Sequence, residues 1–185
     1  PIFKGSEMKK ILATVFTLVW IHSSFAAETI KVGIALRFEE ASQDGFLNSF
    51  NNGFELAKKQ FMASHPATKI EFVKYSHKSD PASIHAMAKK VIQDQVRFVI
   101  GGESSDESIA MMQDFEKAKV LLITPTSSDP AVTQGKNFVF RACFSDEQVT
   151  KALAKYVFES LKDSKTPVVL GVIHHTGNAY TDYLG

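Results

Sequence analysis

Residues 96–130 read VRFVIGGESSDESIAMMQDFEKAKVLLITPTSSDP and contain the clearest folding pattern in the chain. An apolar run from Arg97 to Gly101 predicts a strand, a helix is predicted around Ser108 to Lys117, and Val120 to Thr124 predicts the next strand. Strand, helix and strand in this order indicate parallel pairing through a right-handed crossover. This unit is therefore typical of an α/β protein.

The same alternation extends in both directions along the chain. Four further apolar runs predict strands: Thr29 to Leu36, Lys69 to Tyr75, Phe138 to Phe144 and Pro167 to Ile173. Apolar residues at helical spacing follow Asn48 and stop at His65-Pro66, and Asp80-Pro81 is typical of a capped helix start. Ser145 to Gln148 fits a capping box for one more helix. The whole pattern predicts a doubly wound parallel sheet.

Composition limits the classes of function that the chain could serve. The 185 residues are 44% hydrophobic and 22% charged, which is typical of a globular protein. A formal net charge of +1 gives no reason to expect nucleic acid or an anionic membrane surface as a partner. One cysteine, Cys143, excludes a disulfide framework within the chain and a four-thiolate zinc site.

The N-terminal segment has the three parts of a secretory signal peptide. Met8 to Lys10 is basic, Ile11 to Ile21 is uncharged and apolar, and Ser23 to Ala27 is rich in small residues. The apolar run is too short to span a hydrocarbon core of roughly 30 Å, so a retained membrane helix is not expected. We expect cleavage after Ala26, with Pro1 to Glu7 as upstream sequence, and a soluble periplasmic product.

Polar residues follow three of the predicted strands: Gly101 to Asp106, Thr124 to Pro130 and His174 to Tyr180. Ligands of open α/β sheets bind at the carboxyl ends of the strands, so these segments are the candidate site. Ser104 and Ser105 stand where a helix N-terminus and a hydroxyl could hold a single carboxylate, or where they could simply cap the helix.

Motifs for other chemistries are weak or absent. The glycines near Glu103 form neither G-x-G-x-x-G nor G-K-[ST], and acidic neighbours would repel a di- or triphosphate. His174 and His175 are adjacent in a predicted strand and would point to opposite faces, which argues against a metal site. No serine lies in a G-x-S-x-G elbow. We therefore expect no metal, no cofactor and no catalytic residues.

The order and spacing of several segments resemble a known family. These segments are TIKVGIAL after the signal peptide, Gly53 in the first helix, KYSHKSDP, FVIGG-ESS, LLITPTSSDP and FVFRACFSDEQ. Together they are similar to the N-terminal part of the leucine/isoleucine/valine-binding protein family, the type I periplasmic solute-binding proteins of ABC importers. The resemblance implies a periplasmic binding protein-like I fold, with a first lobe at residues 27–144 and the start of a truncated second lobe at 145–185.

The resemblance also implies a ligand site between the two lobes. Ser105 would hold the α-carboxylate of an amino acid through its hydroxyl and N–H groups. Ser128 would meet the ammonium with its hydroxyl, and Thr126 would offer its backbone carbonyl there. Tyr180 would be a second-lobe aromatic that closes over the ligand, and Phe46 would be a first-lobe aromatic near it.

The chain departs from the family pattern in two places. Arg37 to Ser42 stands where members often have a small, Gly-rich loop that shapes the side-chain end of the pocket. Leucine-like specificity therefore does not follow from the resemblance. Ser79 and Ser104 stand where members with a first-lobe disulfide have cysteines, which is consistent with absence of that bridge.

The expected function is the periplasmic substrate-binding component of an ABC importer, a monomer that delivers an amino acid or similar small polar solute to a membrane permease. It would not be an enzyme and would not bind nucleic acid. Two alternatives stay open. One is a sensory protein of the same fold that presents its solute to a receptor, and the other is an exported α/β enzyme.

Overall fold

A computed structural model describes residues 29–38, 45–169, 171, 173, 175–178 and 181. The expected signal peptide at residues 1–26, most of the loop at 39–44 that follows the first strand, and Tyr180 lie outside these described residues. Within the described part of the chain, no helix is both long and apolar enough to cross a membrane.

Five parallel strands form one sheet. They are β1 (Ile30–Leu36), β2 (Ile70–Ser76), β3 (Phe98–Gly101), β4 (Leu121–Thr124) and β5 (Val139–Arg141). Their order across the sheet is β2-β1-β3-β4-β5, and every pair is parallel. The connections therefore run outward in opposite directions from the β1/β3 pair, which confirms the predicted doubly wound sheet and makes that pair its topological switch point.

In the described part of the chain, four α-helices connect or follow the strands: α1 (Gly45–Ser64), α2 (Pro81–Gln93), α3 (Ser105–Ala118) and α4 (Asp146–Leu161). A short 3-10 helix, Pro130–Val132, lies between β4 and β5. The starts of the α-helices follow the local chemistry of the sequence. The Asp80 side chain accepts a hydrogen bond from the N–H of Ser83, with proline in the first turn of α2. Ser145 and Gln148 form the predicted capping box at the start of α4.

One face of the sheet packs against α2 and α3 and forms the larger core. Ala35, Val99 and Leu122 contribute from three neighbouring strands, and Met111 and Phe115 contribute from α3. Each of these five side chains is fully buried. Because strand side chains alternate between faces, Ile34 and Leu36 point the other way, where they pack against Leu47 of α1.

The α1 side of the sheet is only partly covered in the described part of the chain. Ile123 pairs in register with Ile100 of β3 and with Phe140 of β5, so these residues share one face with Phe98. Phe98 is 46% exposed and Phe140 is 49% exposed. In α4, Leu153, Tyr156 and Phe158 are more than half exposed as well. Large apolar surfaces thus remain on this face of the sheet and on α4.

Two predicted strands differ from the structure. The run from Phe138 to Phe144 is a strand only at Val139–Arg141, because the chain turns after Ala142 toward the cap of α4 at Ser145. No described residue between Pro167 and Ile173 lies in a strand. Val169 and Ile173 are almost fully exposed, so the described residues of this run are not packed as a buried strand would be.

A buried phenylalanine on one side of the sheet and a half-exposed one on the other allow a matched test of the core. Phe115→Ala removes a fully buried ring and should lower the free energy of unfolding by about 3–5 kcal/mol. Phe140→Ala removes a half-exposed ring and should cost at most about 1 kcal/mol. Urea titration followed by circular dichroism measures both values. Equal losses in the two variants would show that α3 does not seal the core as described.

Candidate functional site

Two loops meet at the carboxyl edge of the sheet, one after β3 and one after β4, and buried hydroxyl groups join them. The Thr124 hydroxyl lies 2.8 Å from the carbonyl oxygen of Gly102. The Ser127 hydroxyl lies 2.8 Å from the carbonyl oxygen of Ser104 and 2.7 Å from the Ser108 hydroxyl. Thr124, Ser127 and Ser108 are at most 1% exposed. We call these three residues the hydroxyl cluster.

Each hydroxyl donates a single hydrogen bond, and further contacts, 2.8 Å between the Thr124 and Ser127 hydroxyls and 3.2 Å from Ser127 to the Gly102 carbonyl, allow more than one pattern of donors. One pattern satisfies every group. Thr124 donates to Gly102, Ser127 donates to Ser104, and Ser108 donates to the Ser127 oxygen. The N–H of Ser127 completes the arrangement by donating to the Thr124 oxygen over 3.2 Å. Every buried hydroxyl is therefore satisfied, and the two loops are held in one relative position.

Gly101 and Gly102 allow the backbone of the β3 loop to pass close to its neighbours. A Cβ atom on Gly101 would overlap the carbonyl oxygen of Ala35 in β1. Gly102 has a φ of +78°, and a Cβ atom there would overlap the Ser108 hydroxyl. Both positions therefore require glycine, which is the residue that tolerates close contact and positive φ.

Ser104 and Ser105, at the start of α3, make different hydrogen bonds. Ser104 is the N-cap, and its hydroxyl accepts a hydrogen bond from the N–H of Glu107 over 3.3 Å. Ser105 does not cap the helix: its hydroxyl accepts a hydrogen bond of 3.2 Å from the N–H of Asp129 in the other loop. Ser105 is therefore attached to both loops, and its own N–H lies in the first helical turn, where no intrahelical acceptor exists.

Ser128 is held from two directions. Its carbonyl oxygen accepts from the Arg141 guanidinium over 2.6 Å and from the N–H of Asp146 over 2.9 Å. Arg141 also donates to the Thr133 hydroxyl over 2.6 Å, so it fastens the β4 loop to β5. Ser128 is 7% exposed, and its bonds to Arg141 and Asp146 link the β4 loop to β5 and to the start of α4.

Asp146, the first residue of α4, places a buried carboxylate next to Ser128. Burial raises the pKa of its carboxyl above the ordinary value, and the neighbouring charge of Asp129 raises it further. A hydrogen bond from the Ser128 side chain and the charge of Arg141 act in the opposite direction. Its Oδ2 atom is buried and has no hydrogen-bond partner among the described residues.

Thr126 and the β3 loop connect to a group of charges at the end of β1. The exposed Thr126 hydroxyl donates to the carbonyl oxygen of Glu103 over 2.6 Å. The Glu103 carboxylate in turn lies 2.6 Å from Nη2 of Arg37, the residue that follows β1. Nε of Arg37 lies 3.0 Å from the Glu107 carboxylate. We call Arg37, Glu103 and Glu107 the charge cluster.

The structure describes four of the five site residues expected from the sequence. Ser105, Thr126 and Ser128 share the two joined loops. Phe46 instead lies at the start of α1, where its ring stacks on Phe50 with centroids 6.3 Å apart. Tyr180 lies outside the described residues. In the same segment, Nδ2 of Asn178 donates to the Asp106 carboxylate at the start of α3 over 3.3 Å.

Sequence reasoning missed several residues that shape this edge. Ser127 was only one of several polar loop residues, and Arg141 was only part of an apolar strand. A single arginine within an otherwise apolar short strand was the available signal for a buried polar contact. Among the described residues, no three His, Cys, Asp or Glu side chains are grouped so that they could hold a metal ion.

The crowded glycine loop can be tested with a matched control. Ala at Gly102 combines left-handed backbone strain with overlap at Ser108, whereas Ala at Gly135, with a φ of +69°, meets nothing within 4 Å. We expect Gly135→Ala to cost about 1–2 kcal/mol of unfolding free energy and Gly102→Ala to cost clearly more. Chemical denaturation measures both. Equal costs would contradict the close approach of Gly102 to Ser108.

Comparison with known proteins gives a consistent result. The periplasmic binding protein family model matches residues 29–184. A Leu/Ile/Val-binding protein of Citrobacter freundii is 32% identical over 102 residues, which cover 55% of this chain and 28% of that protein. A leucine-, isoleucine-, valine-, threonine- and alanine-binding protein of Pseudomonas aeruginosa is 28% identical over 170 residues, or 90% of this chain and 45% of that protein.

A solved structure agrees with these relatives. It is the branched-chain amino acid transporter substrate-binding protein LivJ of Streptococcus pneumoniae in complex with isoleucine, with 28% identity and a TM-score of 0.62. The match covers 73% of this chain and 39% of that structure. The chain thus spans less than half the length of each of these three proteins.

Proposed function

The chain belongs to the periplasmic binding protein family, and from this membership we propose that its site binds an α-amino acid or a similar small polar solute. The protein would be the non-enzymatic substrate-binding component of an ABC importer and would deliver the solute to a membrane permease. Relatives named for branched-chain amino acid binding support this proposal.

The observation that best supports a zwitterionic solute is that Ser105 and Ser128 have different polar neighbours: a backbone N–H at Ser105 and a carboxyl group at Ser128. The Ser105 oxygen accepts from the N–H of Asp129, so its own proton is free to donate to a carboxylate. The Ser128 side chain would donate its proton to the neighbouring carboxyl group of Asp146 when that group is ionised. The lone pairs of the Ser128 oxygen would then be left for an ammonium group.

The charges near Ser105 and near Ser128 also differ in sign. Ser105 lies at the N-terminus of α3, where the helix dipole favours a negative group. Ser128 lies beside the buried carboxylates of Asp129 and Asp146, which favour a positive group. An α-amino acid carries a carboxylate and an ammonium only one carbon apart, so it would match both ends.

The remaining parts of the proposal concern the whole protein. Residues 27–144 would form the first lobe, and 145–185 would begin a second lobe that closes over the solute with Tyr180 and Phe46 nearby. The exposed apolar side of α4 supports this division, because such a surface is expected to be buried by further chain. We further propose a monomer, exported through the signal peptide and cleaved after Ala26.

The test is solute binding to the full-length mature protein. A thermal-shift screen against amino acids, amides and small carboxylates should reveal a ligand, because a ligand at a hundred times its Kd adds about 2.7 kcal/mol. Ser105→Ala and Ser128→Ala should each then weaken binding by roughly 10- to 150-fold, the value of a hydrogen bond to a charged group. Isothermal titration calorimetry measures the loss.

Ser64→Ala is the matched control, since its exposed hydroxyl bonds only to the last turn of α1 and to His65. Affinity in this variant should equal that of the parent protein. Unchanged affinity in both Ser105→Ala and Ser128→Ala would refute the site assignment. Turnover of an ester, amide or phosphate substrate would refute the non-enzymatic role.

A further inference from the structure

The charge cluster lies at the switch point of the sheet. Arg37 follows β1, and Glu103 comes two residues after Gly101, the last residue of β3. The two strands pair with Ala35 opposite Gly101. The N–H of Gly102 also donates to the carbonyl oxygen of Ala35 over 3.2 Å. Since solutes of doubly wound sheets bind outside the carboxyl ends of the two strands at the switch point, these charges border the solute crevice.

Short contacts connect the charge cluster directly to the proposed solute site. Glu103 lies two residues before Ser105 in the same loop, and its carbonyl oxygen accepts from the Thr126 hydroxyl. Its carboxylate reaches Arg37 at 2.6 Å. A solute group that extends from Ser105 toward β1 would therefore approach Glu103 and Arg37.

Burial differs across the three side chains. Glu107 is 5% exposed, and its two oxygens already meet Arg37 at 3.0 Å and the N–H of Glu103 at 2.9 Å. Glu103 is 19% exposed and Arg37 is 25% exposed. The buried Glu107 carboxylate thus fixes the position of Arg37. The Glu103 carboxylate is partly exposed to solvent.

We propose that Glu103, fixed by Arg37, determines solute specificity by selecting a side chain that ends in a hydrogen-bond donor, such as an amide or ammonium, over a branched hydrocarbon. This inference rests on the proposed function, because it assumes an amino acid held at Ser105 and Ser128. It adds the class of side chain, which would differ from that of the branched-chain solutes named for the relatives.

Desolvation is the physical reason for this selection. An aliphatic side chain placed against Glu103 and Arg37 would remove water from both charges and offer no hydrogen bond in return. A donor group would replace that water, because a carboxylate has about four lone-pair sites and Arg37 does not use them all. Sites that hydrogen-bond a solute group discriminate strongly against analogues that lack it.

Calorimetric binding of leucine, glutamine, ornithine and glutamate to the full-length protein tests the inference. Glutamine or ornithine should bind about tenfold or more tightly than leucine. Glu103→Leu leaves Arg37 paired with Glu107 and should shift the leucine-to-glutamine affinity ratio toward leucine by about tenfold or more. Glu103→Gln keeps the side-chain shape, so it serves if the leucine variant fails to fold, and it should weaken ornithine most.

Glu71→Leu is the matched control, because Glu71 is exposed and pairs in register with Lys31 at the opposite edge of the sheet. It should leave the affinity ratio unchanged. Leucine or glutamate as the tightest solute, or an unchanged ratio in Glu103→Leu, would overturn the inference while leaving amino acid binding intact. Binding of none of a full set of amino acids would overturn the proposed function and the inference with it.

Discussion

The edge that holds the candidate site depends on the buried contact between the β3 and β4 loops. Thr124, Ser127 and Ser108 satisfy one another and two backbone carbonyls without water, so neither loop can shift alone. The contact needs a backbone without a side chain at Gly102, because any Cβ atom would displace Ser108. Ser105 and Ser128 flank this cluster, so the distance between them is set by a rigid part of the structure.

Groups of different charge lie in different places around this contact between the loops. The helix N-terminus of α3 lies near Ser105, buried carboxylates lie near Ser128, and an arginine between two glutamates lies toward β1. Under the proposed function, these groups would contact a solute at three points: its negative end, its positive end and its side chain. The parallel order of the strands brings all three to one edge.

The sequence alone was sufficient to predict the strand and helix alternation, because buried parallel strands and capped helices have strong local signatures. Asp80 and the Ser145 capping box are examples. The strand predicted at 167–173 is not seen in the described residues of that run, because an apolar pattern cannot show whether a pairing partner exists. The polar segments after the predicted strands already contained Ser105 and Ser128, and the family resemblance supplied their individual roles. Ser127, Arg141 and the Arg37–Glu103 pair depend on contacts between distant residues, which no local pattern encodes.

The central claim is that a solute binds at the loops after β3 and β4, which the hydroxyl cluster holds together. A crystal structure of the full-length protein with the solute found by screening tests it most directly. We expect electron density for the solute within hydrogen-bond distance of the Ser105 hydroxyl and of Ser128, with its side chain directed toward Glu103. Density at any place away from the carboxyl ends of β3 and β4 would contradict it.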